Sequence, residues 1–197
     1  MTEVTIGVLA LQGGFAEHLG ALSTIEGVRA VPLKRRDELD SVDALILPGG
    51  ESSAIGRLLR DFDMLGRMRD RIRDGLPVWG TCAGMIILAR GLENDERHHL
   101  GVMDICVRRN AYGGQLDSFE TEAVIPELGA TPFPLVFIRA PALTRLGPSV
   151  RTLASVDGRP VACIEGAMVA TSFHPELTGD TRFHRWFAGL ARNVAGS

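Results

Sequence analysis

Leu76-Pro77-Val78-Trp79-Gly80-Thr81-Cys82-Ala83-Gly84-Met85-Ile86-Ile87-Leu88-Ala89 is the stretch from which the architecture of this chain can be read. Its first four residues are short and apolar, bounded by Gly75 and Gly80, and read as the end of a buried strand. Met85 to Ala89 is apolar and compatible with a helix, and between the two lies a thiol flanked by glycines. A sharp strand-to-helix turn needs glycine on either side of its central residue, because neighbouring backbones pass too close for side chains. Cys82 is therefore expected at the tip of a strained turn with its sulfur exposed. The amides that open the following helix point outward there, where they can lower a thiol pKa and receive a developing oxyanion.

Taken alone, a cysteine between glycines is equally compatible with a small, inert core residue. The balance moves with Ser172-Phe173-His174-Pro175-Glu176, which follows the apolar run Met168-Val169-Ala170. A thiol nucleophile needs a general base within hydrogen-bond reach, and the base needs a third group to hold its ring and tautomer. His174 and Glu176 supply both at one strand end. The proline between them biases the backbone to an extended form that sends both side chains the same way.

Outward from these two motifs the chain alternates strands and helices. Thr5 to Leu11 and Asp43 to Leu47 are nearly continuous apolar runs, the pattern of strands covered on both faces, and Val28 to Leu33 reads as a third. Such alternation implies parallel β-α-β units. The first strand runs into Gln12-Gly13-Gly14 and a helix carrying Phe15, Leu19 and Leu22; Lys34 to Asp40 reads as surface. The turn Pro48-Gly49-Gly50-Glu51-Ser52-Ser53 has no G-K-[ST] and no G-x-G-x-x-G, which argues against a nucleotide loop, although two adjacent glycines can present a peptide N–H to a ligand. One helix is expected from Ala54 to about Arg73, with Ile55, Leu58, Leu59, Phe62, Leu65, Met68 and Ile72 on its core face.

Downstream, Gly91 to Leu100 is a polar stretch holding His98-His99, and neighbouring loop histidines rarely converge on one ion, so no metal site is expected. Val102 to Val107 reads as a strand and Arg108 to Gln115 as a loop suited to binding groups. Further strands are expected over 118–124 and 135–138. An antiparallel meander over 150–155, 161–164 and 168–172 is punctuated by Asp157-Gly158 and Glu165-Gly166. A closing helix from Thr181 to Val194 directs Phe183, Trp186, Phe187 and Leu190 inward, with His184 a core residue.

At 197 residues, 45% hydrophobic and 23% charged, the chain reads as one α/β domain spanning 1–197, a three-layer, mostly parallel sheet with the antiparallel meander at its end. A net charge of −3 offers no field for nucleic acid or an anionic membrane. Three cysteines, Cys82, Cys106 and Cys163, without framework spacing point to free thiols in a reducing cytoplasm. No basic, apolar leader and no run of bilayer length is seen.

Gly80-Thr81-Cys82-Ala83-Gly84 together with His174-Pro175-Glu176 resembles the class I, triad-type glutamine amidotransferases. Gly7 to Gly13, Leu47 to Ser52, Phe137 to Pro141 and Ser172 to Thr178 closely resemble the glutaminase subunits of pyridoxal 5′-phosphate synthase, in the same order along the chain. The resemblance implies a flavodoxin-like fold, no cofactor, L-glutamine as substrate and a separate synthase subunit that receives ammonia. It implies Cys82 as nucleophile, His174 as acid and base, and Glu176 as its orienting group. Ala83 and Gly49-Gly50 would form the oxyanion hole; Gly50, Glu51, Ser52, Arg109, Ile138 and Arg139 would contact glutamine; Gln12-Gly13 would meet the partner. The family usually has arginine where this chain has Gly114. Two other readings stay open: a stand-alone cysteine hydrolase of γ-glutamyl or other amides, and a binding module with a relic site.

Overall fold

A computed structural model of the protein describes residues 3–96, 98–109 and 118–196. The first half alternates as expected: β1 (Val4–Leu9), α1 (Phe15–Ser23), β2 (Val28–Leu33), β3 (Ala44–Leu47), α2 (Ser52–Asp61), α3 (Met64–Arg73), β4 (Val78–Thr81) and α4 (Ala83–Leu88). The second half contains β5 (Ala89–Leu92), β6 (Met103–Arg108), β7 (Ser118–Ala123), β8 (Phe133–Ile138), β9 (Ala142–Leu146), β10 (Arg151–Val156), β11 (Arg159–Glu165), β12 (Met168–Thr171) and α5 (Arg182–Ala195).

The main sheet has seven strands in the order β10-β11-β12-β4-β3-β1-β2. From β12 to β2 every pairing is parallel; β10 and β11 join antiparallel as the expected meander. Residues of β3 alternate between two cores. Leu45 and Leu47 pack on the face covered by α2, α3 and α4, whereas Ala44 and Ile46 pack on the face covered by α1 and α5. Val78 and Trp79 divide in the same way. This two-sided burial is why the strands read as unbroken apolar runs.

Three features differ from the sequence reading. The single helix over 54–73 is two helices, because Asp63 takes the left-handed conformation at φ 53°, which aspartate tolerates better than most residues. The break re-phases the apolar stripe so that Met64, Met68 and Ile72 are buried, and leaves Phe62, assigned to the core, 52% exposed. Lys34 to Asp40 is not all surface, since Leu39 on the 3-10 turn Arg36–Ser41 is fully buried. Unforeseen short strands β5 and β9 flank β6 in a separate three-stranded sheet. The hairpin β7-β8 stands apart as a two-stranded sheet.

Candidate active site

The pairing of β12 with β4 creates the site. Thr171 lies opposite Thr81 in this parallel register, so Cys82, next after β4, and His174, three residues after β12, leave the sheet side by side. On the other flank Leu47 pairs with Gly80, which delivers the Gly49-Gly50 turn to the same place. Open parallel sheets collect their ligands at this carboxyl edge.

Cys82 has φ 48° and ψ −103°, a conformation that costs a non-glycine residue about 1–3 kcal/mol. The surroundings impose it. The Cys82 N–H donates to the Thr171 carbonyl at 2.8 Å, and the Cys82 carbonyl accepts from the Met85 N–H at 3.1 Å. A Cβ on Gly84 would stand 2.0 Å from the Leu47 carbonyl oxygen, and one on Gly80 would stand 2.5 Å from the Gly84 backbone. The strained turn with obligatory glycines is thus present, but the thiol is more enclosed than expected, at 8% exposure. Its Sγ lies 3.9 Å from the Ile138 carbonyl oxygen.

His174 Nδ1 and Glu176 Oε1 are 2.8 Å apart, which leaves Nε2 for Cys82. Burial pushes the His174 pKa down, but hydrogen bonds and charge from Cys82 and Glu176 together outweigh it and raise it to about 10. These partners favour the protonated ring, the form that an acid for a departing amine must take. Glu176 reaches His174 by a route other than the extended backbone expected, since it sits on a 3-10 turn, Pro175–Leu177, with its side chain 1% exposed. The His174 N–H also donates to the Val136 carbonyl at 2.8 Å, fastening this turn to β8.

A cleft of about 350 Å³ opens over the thiol, at the small end of the ~300–1,000 Å³ usual for ligand sites. Gln12 lines it from the loop after β1, and Gly50, Glu51 and Ser52 from the turn after β3. Cys82, Ala83 and Ile86 contribute from the elbow and α4. Arg109, Ile138, Arg139 and His174 complete it. All residues expected to touch a substrate are therefore gathered here; Ile86 was not foreseen. Gly49 lies beneath the His174 ring, where a Cβ would come within 2.5 Å of Cε1. The Gln12-Gly13 turn packs on the Gly49-Gly50 peptide: the Gly14 N–H donates to the Gly49 carbonyl at 3.1 Å, and the Glu51 N–H to Gln12 Oε1 at 3.0 Å.

Glu51 and Arg109 are paired in the cleft. Arg109 Nη2 lies 3.0 Å from Glu51 Oε1 and 3.1 Å from Ser53 Oγ, and its Nη1 lies 3.3 Å from Asp95 Oδ2. The Glu51 carboxylate also caps α2, accepting from the Ser53 and Ala54 N–H groups. Burial nudges its pKa up, but these donors and Arg109 hold it below the ordinary glutamate value. Arg139, at φ 43°, takes a left-handed conformation directly after Ile138. Position 114, where the family's arginine is replaced, lies outside the described residues.

Sequence reasoning missed the residues behind His174 and Glu176. His18 and His184 are fully buried, with His18 Nδ1 2.9 Å from His184 Nε2. His18 Nε2 is 3.2 Å from Thr81 Oγ1 and 3.4 Å from Glu176 Oε2. A signal existed, because His18 falls on the apolar stripe of α1 with Phe15 and Leu22. Among the described residues no group of three or more His, Cys, Asp or Glu is placed to hold a metal, and no helix is long and apolar enough to cross a membrane.

Comparison with known proteins agrees with this fold. The chain is 55% identical over 185 residues to the pyridoxal 5′-phosphate synthase subunit PdxT of Ruminiclostridium cellulolyticum, covering 94% of this chain and 98% of the relative. A crystal structure of a glutamine amidotransferase superposes with TM-score 0.90 at 45% identity, over 95% of this chain and 98% of the other. A glutamine amidotransferase of Thermotoga maritima, 14% identical, shares the fold at TM-score 0.62 over 100% of this chain and 86% of its own. The model of the SNO glutamine amidotransferase family matches residues 8–193, and the chain belongs to that family.

Proposed function

We propose that the chain, acting as one glutaminase domain in the cytoplasm, hydrolyses L-glutamine and passes the ammonia to a separate synthase subunit that makes pyridoxal 5′-phosphate. The identity to PdxT over nearly the full length of that relative carries the assignment. Cys82 and His174 in the lining of the cleft, with Glu176 hydrogen-bonded to His174 behind it, support the chemistry. The Cys82 thiolate attacks the carboxamide carbon, and the carbonyl electron pair moves onto oxygen beside the N–H groups of Ala83 and the Gly49-Gly50 turn. Collapse expels ammonia with a proton from His174 and leaves a thioester. His174 then takes a proton from water, which attacks the thioester and releases glutamate.

Glu51 and Arg109 present opposite charges side by side, complementary to the ammonium and carboxylate of a free amino acid. Ser52, Ile138 and Arg139 complete the glutamine contacts. The Gln12-Gly13 turn is where the partner would act, since it rests on the peptide that must present the oxyanion donor. A missing donor costs about a hundred- to a thousandfold in rate, enough for a gate. The test is ammonia release from glutamine with and without the cognate synthase subunit. At least a tenfold rise on adding the partner is expected. Full activity in the isolated chain, or activity on γ-glutamyl peptides exceeding that on glutamine, would favour the stand-alone hydrolase instead.

A further inference from the structure

Two buried histidines take no part in the chemistry described so far. A buried imidazole in a core needs a reason, because burial without partners penalises both its polar atoms and its charge. The hydrogen-bond inventory supplies one. His184 Nδ1 has no partner among the described residues, and a buried orphan N–H is rarer and costlier than an orphan lone pair. The proton of His184 therefore sits on Nε2 and is donated to His18 Nδ1 across 2.9 Å. That bond fixes the other ring: His18 must accept at Nδ1 and carry its own proton on Nε2. Nε2 faces Thr81 Oγ1 at 3.2 Å and Glu176 Oε2 at 3.4 Å, and Glu176 Oε2 has no hydrogen-bond partner among the described residues.

We propose that His18 is a positioning residue for the triad: with its tautomer set by His184 and its Nε2 proton donated to Thr81 Oγ1, it holds the positive edge of its ring beside the second oxygen of Glu176 and keeps that carboxylate aimed at His174. The proposal rests on the triad reading above. The donors then run in one sense: His184 to His18, His18 to Thr81 Oγ1 with Glu176 Oε2 3.4 Å from the same nitrogen, and His174 to Glu176 Oε1. The opposite tautomer would turn a lone pair of His18 toward a buried carboxylate. Both histidines stay neutral, as the chain of donors requires: burial, helped by neighbouring His184 and His174, holds His18 well below the usual histidine range, and burial holds His184 at about 4. The titratable groups around the carboxylate are His174 and Cys82 in front, His18 and His184 behind, and exposed Glu17 of α1, which approaches Gly14 beside Glu176 Oε1.

The test compares His18→Leu, which removes the donor, with His18→Gln, whose amide can restore one. Losing the N–H dipole beside the Glu176 carboxyl leaves its negative charge less supported, and the His174 ring that it steadies less well held. The acid limb of Cys82 alkylation by iodoacetamide, measured on the full chain without glutamine or partner, should therefore move up by about one pH unit in His18→Leu, in line with the net worth of one hydrogen bond. Glutaminase kcat in the complex should fall about tenfold with KM little changed, and His18→Gln should recover most of both. In ¹⁵N NMR of the wild-type chain, His18 should appear as the Nε2–H tautomer and not titrate between about pH 5 and 8. An Nδ1–H tautomer, an unshifted acid limb in folded His18→Leu, or a His18→Gln as impaired as His18→Leu would overturn the proposal. Should His18→Leu not fold, the tautomer and the His18→Gln profile decide. If alkylation shifts as expected while the wild type releases no ammonia with its partner, the glutaminase reading fails and the positioning role stands.

Discussion

Gly49→Ala tests the geometry of the site with one added methyl group. Gly49 is not among the described glycines with positive φ, so alanine can adopt its backbone, and any effect comes from contact. The new Cβ would lie 2.5 Å from His174 Cε1 and 3.0 Å from Nδ1, while keeping an ordinary 3.5 Å from the Cys82 Cβ. Carbon atoms rest at about 3.5–4.0 Å, so the imidazole must withdraw by about 1 Å. It cannot do so and keep the 2.8 Å bond to Glu176 Oε1 unchanged, because Glu176 is buried on its short turn. A displacement of about 1 Å in a catalytic group costs about a hundredfold in rate. The expected outcome is a folded protein, with a thermal midpoint within a few degrees of wild type, whose glutaminase kcat in the presence of the synthase subunit falls about a hundredfold. Circular dichroism and coupled ammonia release measure the two quantities. A Gly49→Ala protein with wild-type kcat would show that His174 does not act from the observed position.

Cys82→Ala should abolish glutamine hydrolysis and leave the fold intact; Cys163 should resist alkylation in the folded chain, since burial, with Glu165 adding to it, pushes its thiol up to about 12, and mass spectrometry after iodoacetamide should find Cys82 modified ahead of it. His174→Asn should be nearly as damaging as loss of the thiol, whereas Glu176→Gln should leave a measurable remainder, because the third member orients the base without itself transferring the proton; equal kcat for Glu176→Gln and wild type at saturating glutamine would refute the triad. Stability should begin to fall below about pH 6.5, because the pKa of His184 is depressed to about 4 and that of His18 also lies well below the ordinary value, so the unfolded chain binds protons that the native chain refuses. His184 alone accounts for about 2 kcal/mol lost by pH 5, whereas His174, raised to about 10, keeps its contribution throughout the acid range and loses it only as pH climbs toward 10. Urea unfolding at pH 7 and pH 5 measures this, and unchanged midpoints would refute it.

The parts of the site that the sequence made legible are those whose cause is local. The glycines at 80 and 84 announce a turn because backbone must pass where a Cβ would stand, and the structure puts the Leu47 carbonyl in the space a Gly84 side chain would fill. The alternation of apolar runs announces a parallel sheet because both faces are covered. What could not be read depends on partners remote in the chain. The broken helix at Asp63 answers to where the sheet needs Met64 and Met68, and the strands β5 and β9 exist only through their pairing with β6. His18 shows the same limit at the site itself. On α1 it occupies a position where Phe15 and Leu22 make a hydrophobic residue the natural choice; its chemistry emerges only when α5 supplies His184 on one side and the turn after β12 supplies Glu176 on the other. A motif search finds the groups that touch substrate because their turns are strained or rich in glycine. It passes over the groups that hold those groups, because their backbone is ordinary helix and their meaning lies in which nitrogen carries the proton. In the reading proposed above, Glu176 is the meeting point of two histidines, His174 in front and His18 behind.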